Sequence, residues 1–317
     1  MKVSILIPVY GVESYIGKCA HSLMKQTYQD IEYIFWDDCT TDKSLSILRN
    51  VLSDYPEREQ QVRVLNNENN QGVGATRQSL VQAATGDAIL FVDSDDYVAP
   101  NAVETLVEAM QSQKVDIVDG GYYIVTDATV VSKEYPSHKS REKYLKTILC
   151  QNVEPNRIWG RLIKRSLFVD NRISFTQGVD YCEDFSVLPR LLLCGSRGWV
   201  DELLYYYRDD NPCSYTNNIT RKNAISFVKA QQIVGDFMAS SNQWRKYHFA
   251  AELGWVNVWR FARRFGIDTQ LVAEYFKKEP SCCLTRLLSS LMRSHVPYEL
   301  VNYLYLITRR VYLMSQF

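Results

Sequence analysis

Val3-Ser4-Ile5-Leu6-Ile7-Pro8-Val9 opens the chain as a β-rich apolar run, and the segment after it has a different period. Residues 13–26 carry Ile16, Cys19, Ala20, Leu23 and Met24 at spacings of three and four, one apolar helical face of the kind that packs on a sheet. The two patterns then take turns. Residues 31–36 read as a strand, 43–52 as a helix, 62–65 as a strand, 72–85 as a helix, 88–92 as a strand, 101–112 as a helix and 115–118 as a strand. Such alternation predicts an α/β fold, Rossmann-like, with a mainly parallel sheet and helices on both faces.

Ligands of such sheets bind beyond the carboxyl ends of the strands. There the chain is acidic. The first strand runs into Pro8-Val9-Tyr10-Gly11, the second into Asp37-Asp38-Cys39-Thr40-Thr41-Asp42, and the one at 88–92 into Asp93-Ser94-Asp95-Asp96, so three strand ends should share one rim. Asp-x-Asp after a strand delivers two carboxylates to one side of the chain. These hard oxygens suit Mg²⁺ or Mn²⁺, with a diphosphate completing the coordination shell. Asp96 serves equally well as the N-cap of the next helix. Asn69-Asn70-Gln71-Gly72-Val73-Gly74-Ala75-Thr76-Arg77 joins glycines, a helix start and an arginine, a combination suited to phosphate or pyrimidine oxygens. A solvated helix start is the plainer reading, more natural for Asn69 than for Arg77.

Ile5-Leu6-Ile7-Pro8-Val9-Tyr10 with Glu13, the turn Asp37-Asp38-x-x-Thr41-Asp42, and Asp93-Ser94-Asp95-Asp96 occur in one order. Together they resemble family 2 glycosyltransferases over roughly the first 210 residues, a combination more specific than any single motif. The resemblance implies a GT-A fold and inverting transfer from a nucleotide sugar, commonly a UDP-sugar, to a glycan or lipid-linked acceptor. It implies a nucleotide pocket of Pro8, Val9, Tyr10 and Glu13, with Asp38 accepting from the imide N–H of uracil, which cytosine lacks. It assigns Asn69, Arg77, Asp93, Ser94 and Arg208 to the nucleotide sugar, and Asp95 with Asp93 to the metal, Mn²⁺ or Mg²⁺. Tyr181-Cys182-Glu183-Asp184 resembles the family's Glu-Asp motif, making Asp184 the general base and putting Glu183 and Trp159 on the acceptor side. Both acids would also favour a helix N-terminus on electrostatic grounds alone. Arg161 stands where Trp-x-Lys-Leu is usual, Cys39-Thr40 stands where Asp-Asp-Gly-Ser is usual, and Tyr205-Tyr206-Tyr207-Arg208 followed by Ser214 is similar to a strand and loop that close over the diphosphate.

On this reading residues 1–215 form the catalytic domain, with a nucleotide-binding half over about 1–120 and an acceptor half over about 121–215, and 216–317 form a helical C-terminal region. That region mixes Trp255, Trp259, Phe261 and Phe265 with Arg260, Arg263 and Arg264, and ends near Thr308-Arg309-Arg310. The mixture fits a helical cap or a homo-oligomer interface, and it also fits peripheral contact with anionic lipid. Lys plus Arg and Asp plus Glu number 36 each, which argues against a nucleic-acid binder. Eight scattered cysteines without a Cys-x-x-Cys pair read as reduced thiols. No apolar run reaches the length of about 18 residues needed to span a membrane, and Pro8 breaks the N-terminal run too early for a signal peptide, so the cytoplasm is the expected compartment. Two other functions use similar parts. A nucleotidyltransferase would want a Gly-rich basic loop after the first strand, which Gly11-Val12-Glu13 is not, and a nucleotide-sugar-binding scaffold would not need both Asp95 and Asp184.

Overall fold

The computed structural model describes residues 1–151, 156–211 and 220–315. Ser214 and the expected domain boundary at 215 lie outside them. In chain order the elements are β1 (Val3–Val9), α1 (Ile16–Met24), β2 (Ile31–Asp37), α2 (Ser44–Ser53), β3 (Val62–Asn66), α3 (Val73–Ala83), β4 (Ala88–Phe91), β5 (Tyr97–Val98), α4 (Ala102–Gln113), β6 (Ile117–Val125) and β7 (Val130–Glu134). There follow α5 (Arg141–Leu149), β8 (Arg161–Lys164), α6 (Arg165–Asp170), α7 (Glu183–Cys194), β9 (Arg197–Arg208), α8 (Arg221–Ser240), α9 (Trp244–Arg264), α10 (Thr269–Tyr275), α11 (Cys283–Arg293) and α12 (Tyr298–Met314). Two compact units result. The first is Met1–His138, Arg157–Gly178 and Cys194–Cys213; the second is Lys139–Asn156, Val179–Leu193 and Ser214–Phe317.

In the first unit the described strands form one sheet in the order β3-β2-β1-β4-β8-β6-β9-β5, with β7 on β6. The half that carries β3, β2, β1 and β4 is parallel throughout, with Val9 opposite Asp37 and Leu6 opposite Phe91. Parallel strands at the centre of a sheet are covered by crossover helices and therefore read as continuous apolar runs. Val3, Ile5, Leu6, Ile7 and Val9 on β1, and Tyr33, Ile34 and Phe35 on β2, are all fully buried. β8 enters antiparallel to both β4 and β6, which turns the ladder over and makes the sheet mixed. β6 is longer than the sequence suggests, because Gly120 and Gly121 interrupt its apolar pattern at the point where its register with β9 shifts. α1 starts three residues later than the periodicity suggests. The Glu13 N–H donates to Asp42 Oδ2 and its carboxylate accepts from the Lys43 N–H, so Glu13 serves the turn before α2.

In the second unit α9 packs against α5, α8, α10, α11 and α12. Its aromatic stripe is interior: Trp255 and Trp259 are buried, with Trp255 stacked on Trp244 at 5.5 Å. Glu252 on the same helix is also buried. Burial opposes its ionisation, but hydroxyls of Ser281 and Thr285 and the N–H groups of Ser281 and Cys282 donate to it and hold its carboxyl below the ordinary range. This carboxylate ties α9 to the start of α11.

Candidate active site

Because β1 lies between β2 and β4 and runs parallel to both, the carboxyl ends of all three meet at one rim of the first unit. Asp38 follows β2 there, its own N–H donating to the Val9 carbonyl. Its side chain is buried. Oδ1 accepts from Asn67 Nδ2 and from the Gln71 N–H, both at 2.7 Å, and Oδ2 accepts from the Gly72 N–H at 2.9 Å. The carboxylate thus fixes the start of α3 against the end of β2. With three donors on about four lone-pair positions, Oδ2 keeps room for one more. Gly72 takes φ +85°, a conformation costly for residues with a Cβ.

The turn after Asp38 accommodates its unusual residues. Cys39 adopts φ +62°, the left-handed conformation that a glycine would take without strain, and Thr40 Oγ1 accepts from the Gly11 N–H at 2.9 Å. Left-handed backbone costs a side-chain-bearing residue about 1–2 kcal/mol. Cys39→Gly should therefore raise the free energy of unfolding by about 0.5–1 kcal/mol, after allowance for the freer unfolded chain. Urea denaturation reads this directly, and a loss of stability would mean that the Cys39 thiol contact with the Glu68 carbonyl outweighs the strain.

Along α3 the buried Arg77 donates through Nη2 to Asp93 Oδ1 at 2.7 Å, carrying the chain of contacts to the Asp-x-Asp segment. Asp95 accepts from Asn211 Nδ2 at 2.7 Å. Burial, reinforced by the charge of Asp93, pushes its carboxyl above the ordinary range. Asp96 is not a helix cap. It is buried, accepts the Arg208 N–H on Oδ1 and the Tyr205 hydroxyl on Oδ2, both at 2.7 Å, and α4 begins only at Ala102. Burial, then Asp95 and Asp93, drive the Asp96 carboxyl well up. Burial and Asp96 likewise push the Tyr205 hydroxyl well up, so Tyr205 keeps its proton and remains the donor, while its oxygen accepts the Asp93 N–H.

Arg208 closes the ring. Its Nε donates to the Asp95 carbonyl and its Nη1 to Asp127 and Asp210, and its guanidinium lies 4.7 Å from the ring of Tyr15. Tyr15 follows Glu13, whose contacts return to the β2 turn. Trp159 packs close by, stacked on Tyr205 at 4.5 Å and Tyr207 at 5.0 Å. Ser94 is buried and Pro8 half-buried; Tyr10 and Asn69 are exposed. Among the described residues no three His, Cys, Asp or Glu side chains form a metal-holding group. Asp93 and Asp95 offer two hard oxygen donors to a cation, and a diphosphate can provide further ones.

Asp184 and Glu183 lie in the second unit, in the first turn of α7. The preceding Cys182 takes φ +62°, a second left-handed cysteine beside a residue assigned to chemistry. α7 continues through Pro189. Sequence reasoning overlooked Asn67 and Asn211 and gave Tyr205 no role of its own, although all three orient the acids. Their signal was weak because a lone Asn or Tyr says nothing until its partner across the fold is known. Arg161 proves to be buried, its Nη1 2.7 Å from Asp119.

The family model described as Glycosyl transferase family 2 matches residues 4–171. The uncharacterized glycosyltransferase EpsJ of Bacillus subtilis (strain 168) is 32% identical over 227 residues, which is 68% of this chain and 62% of EpsJ, so the match spans less than two thirds of that relative. Among solved structures, S. aureus TarS 1–349 in complex with UDP-GlcNAc aligns with a TM-score of 0.66 at 18% identity, covering 92% of this chain and 87% of that one. The mannosyltransferase PcManGT from Pyrobaculum calidifontis, in complex with GDP-Man and Mn²⁺, aligns at 0.55 and 15% identity over 99% and 87% of the two chains. At these identities the structures establish the shared fold, the GT-A fold that the resemblance implies. With the family model running over more than half of its length, the chain belongs to glycosyl transferase family 2.

Proposed function

We propose that this chain transfers a sugar from a UDP-sugar to a hydroxyl of a glycan or lipid-linked acceptor, with inversion at the anomeric carbon. The observation that carries the reading is the rim beyond the ends of β1, β2 and β4, where Asp38 holds the start of α3, Arg77 of that helix holds Asp93, and Arg208 of β9 reaches the Asp95 carbonyl. Asp38, held by three donors, receives the uracil imide N–H on its remaining lone pair. Tyr10, Glu13 and Asn69 border the nucleoside. Arg77 sits behind Asp93 and neutralises part of the rim's charge. Arg208 meets the diphosphate by exchanging Asp127, whose own side chain is exposed.

Asp93 and Asp95 would hold Mn²⁺ or Mg²⁺. Each has one oxygen engaged by a neutral or cationic donor and a second oxygen for a cation, and two half-buried carboxylates side by side suit a divalent ion. When bound, such an ion stabilises charge on the leaving diphosphate. Asp184 takes the proton of the incoming hydroxyl, and Glu183 and Trp159 border the acceptor. Residues 1–215 form the catalytic region on this reading, with the helices beyond 216 appended to it.

Calorimetry of UDP, CDP and GDP in the presence of Mn²⁺ tests the reading. A charged hydrogen bond to the base is worth about 1.5–3 kcal/mol, so UDP should bind at least about tenfold more tightly than CDP. Equal affinity for the two would remove Asp38 from base recognition. Absence of binding by any of the three would overturn the proposed activity.

A further inference from the structure

The chain's zero net charge conceals a division. Residues 1–219 contain 22 Lys and Arg against 30 Asp and Glu, whereas residues 220–317 contain 14 against 6, giving −8 and +8. The basic segment also holds most of the large exposed apolar side chains, and those are concentrated in α11 and α12. On α12, Leu300, Tyr303, Leu304, Ile307, Val311 and Met314 are 40–63% exposed. At about 100° per residue these six positions fall within an arc of roughly 120°, and at 1.5 Å per residue they run for about 21 Å. No charged side chain interrupts the arc. Arg310 lies at its border, and Val301 and Tyr305 on the opposite side are the residues that pack inward.

The geometry points to α12 as a docking surface for an anionic lipid bilayer, lying in the plane of the headgroups with its apolar stripe inserted and Arg310 at the phosphate level. Among the described residues no helix is long and apolar enough to cross a membrane, so the contact is interfacial. An amphipathic helix binds a bilayer through buried apolar area together with attraction of basic residues to anionic lipid, and both are present in this segment. Tyr303 within the stripe has the apolar ring and polar tip suited to that depth. A second copy of the chain fits less well, because an isologous contact through this stripe would bring two segments of +8 together. The aromatic and arginine-rich α9, which the sequence offers for a cap, an oligomer interface or lipid contact, has Trp255 and Trp259 interior and packs as a core helix of this unit.

Vesicle flotation of the full chain tests this, and because no nucleotide sugar is involved its result is independent of the proposed transfer activity. At physiological salt the protein should float with phosphatidylglycerol–phosphatidylcholine vesicles and several-fold less with phosphatidylcholine alone. The double substitution Ile307→Glu with Val311→Glu changes two exposed side chains, so thermal unfolding should be unaltered while the bound fraction falls about tenfold. Arg310→Glu should give a smaller, salt-dependent loss. Failure of the unaltered protein to float with anionic vesicles would overturn the inference, as would flotation of the double variant at the unaltered level. A dimer in light scattering that the double variant dissociates, without any change in flotation, would assign the stripe to a second copy instead.

Discussion

Asp184→Asn should lower the turnover of sugar transfer by about 10³-fold while UDP binds with unchanged affinity, within the range of about 10²–10⁴ that a positioned general base contributes. The substitution keeps size and shape and removes only the ability to accept a proton. Asp184 sits in the first turn of α7, where the helix dipole favours an acidic side chain, two residues after a left-handed Cys182 that sets the direction of the helix start. Strained backbone of this kind persists where the surroundings enforce it, which is common at functional sites. Glu183→Gln should cost less, since an orienting residue leaves the base itself in place. Steady-state rates together with calorimetry separate the outcomes. Turnover by Asp184→Asn at the unaltered level removes the base assignment, and loss of UDP binding in the same variant would mean that Asp184 serves the donor instead.

Asp119→Ala should destabilise the chain by about 3–5 kcal/mol, the cost of leaving a buried charge without its partner. Asp119 on β6 is almost fully buried between Arg161 of β8, at 2.7 Å, and Arg197 of β9, at 2.6 Å. Burial opposes its ionisation, but Arg161, Arg197 and Arg157 outweigh burial and hold its carboxyl below the ordinary range. Removing the carboxylate leaves the guanidiniums of Arg161 and Arg197 facing one another across three strands. The damage should extend to the candidate site, because β9 also carries Tyr205 and Arg208. A depressed carboxyl contributes stability that is complete above its unfolded value of about 3.9 and is lost as the pH falls through the folded value. Unfolding free energy of the unaltered protein should therefore fall as pH drops below about 4, and the fall should be shallower in Asp119→Asn. Equal slopes in the two proteins would show that other carboxylates govern acid unfolding.

This cluster also explains why arginine at position 161 is compatible with the fold. Its planar fork can reach an internal carboxylate while the stem packs among apolar neighbours, which a lysine point charge does less well. The departure at Cys39 has a different outcome, since the side chain is tolerated in a glycine-like conformation at a cost in strain.

The sequence by itself determined the parallel half of the sheet and the acidic rim. β1, β2 and β4 are short runs of buried apolar residues, α1 has a clear 3.6-residue stripe, and the order of these elements leaves few ways to arrange them. Asp38, Asp93 and Asp95 were legible for the same reason, because each lies in the short segment after a strand end. Only the tertiary structure decided what depends on contacts distant in sequence. Asp96 became a ligand of Tyr205 and Arg208, more than 100 residues away, where the sequence equally allowed a helix cap. Asn67 and Asn211 acquired partners on other loops, and β8 inserted antiparallel between β4 and β6. In the C-terminal helices, aromatic periodicity is the same whether a stripe faces a core or a solvent boundary. Packing alone therefore sent the stripe of α9 inward and left that of α12 exposed.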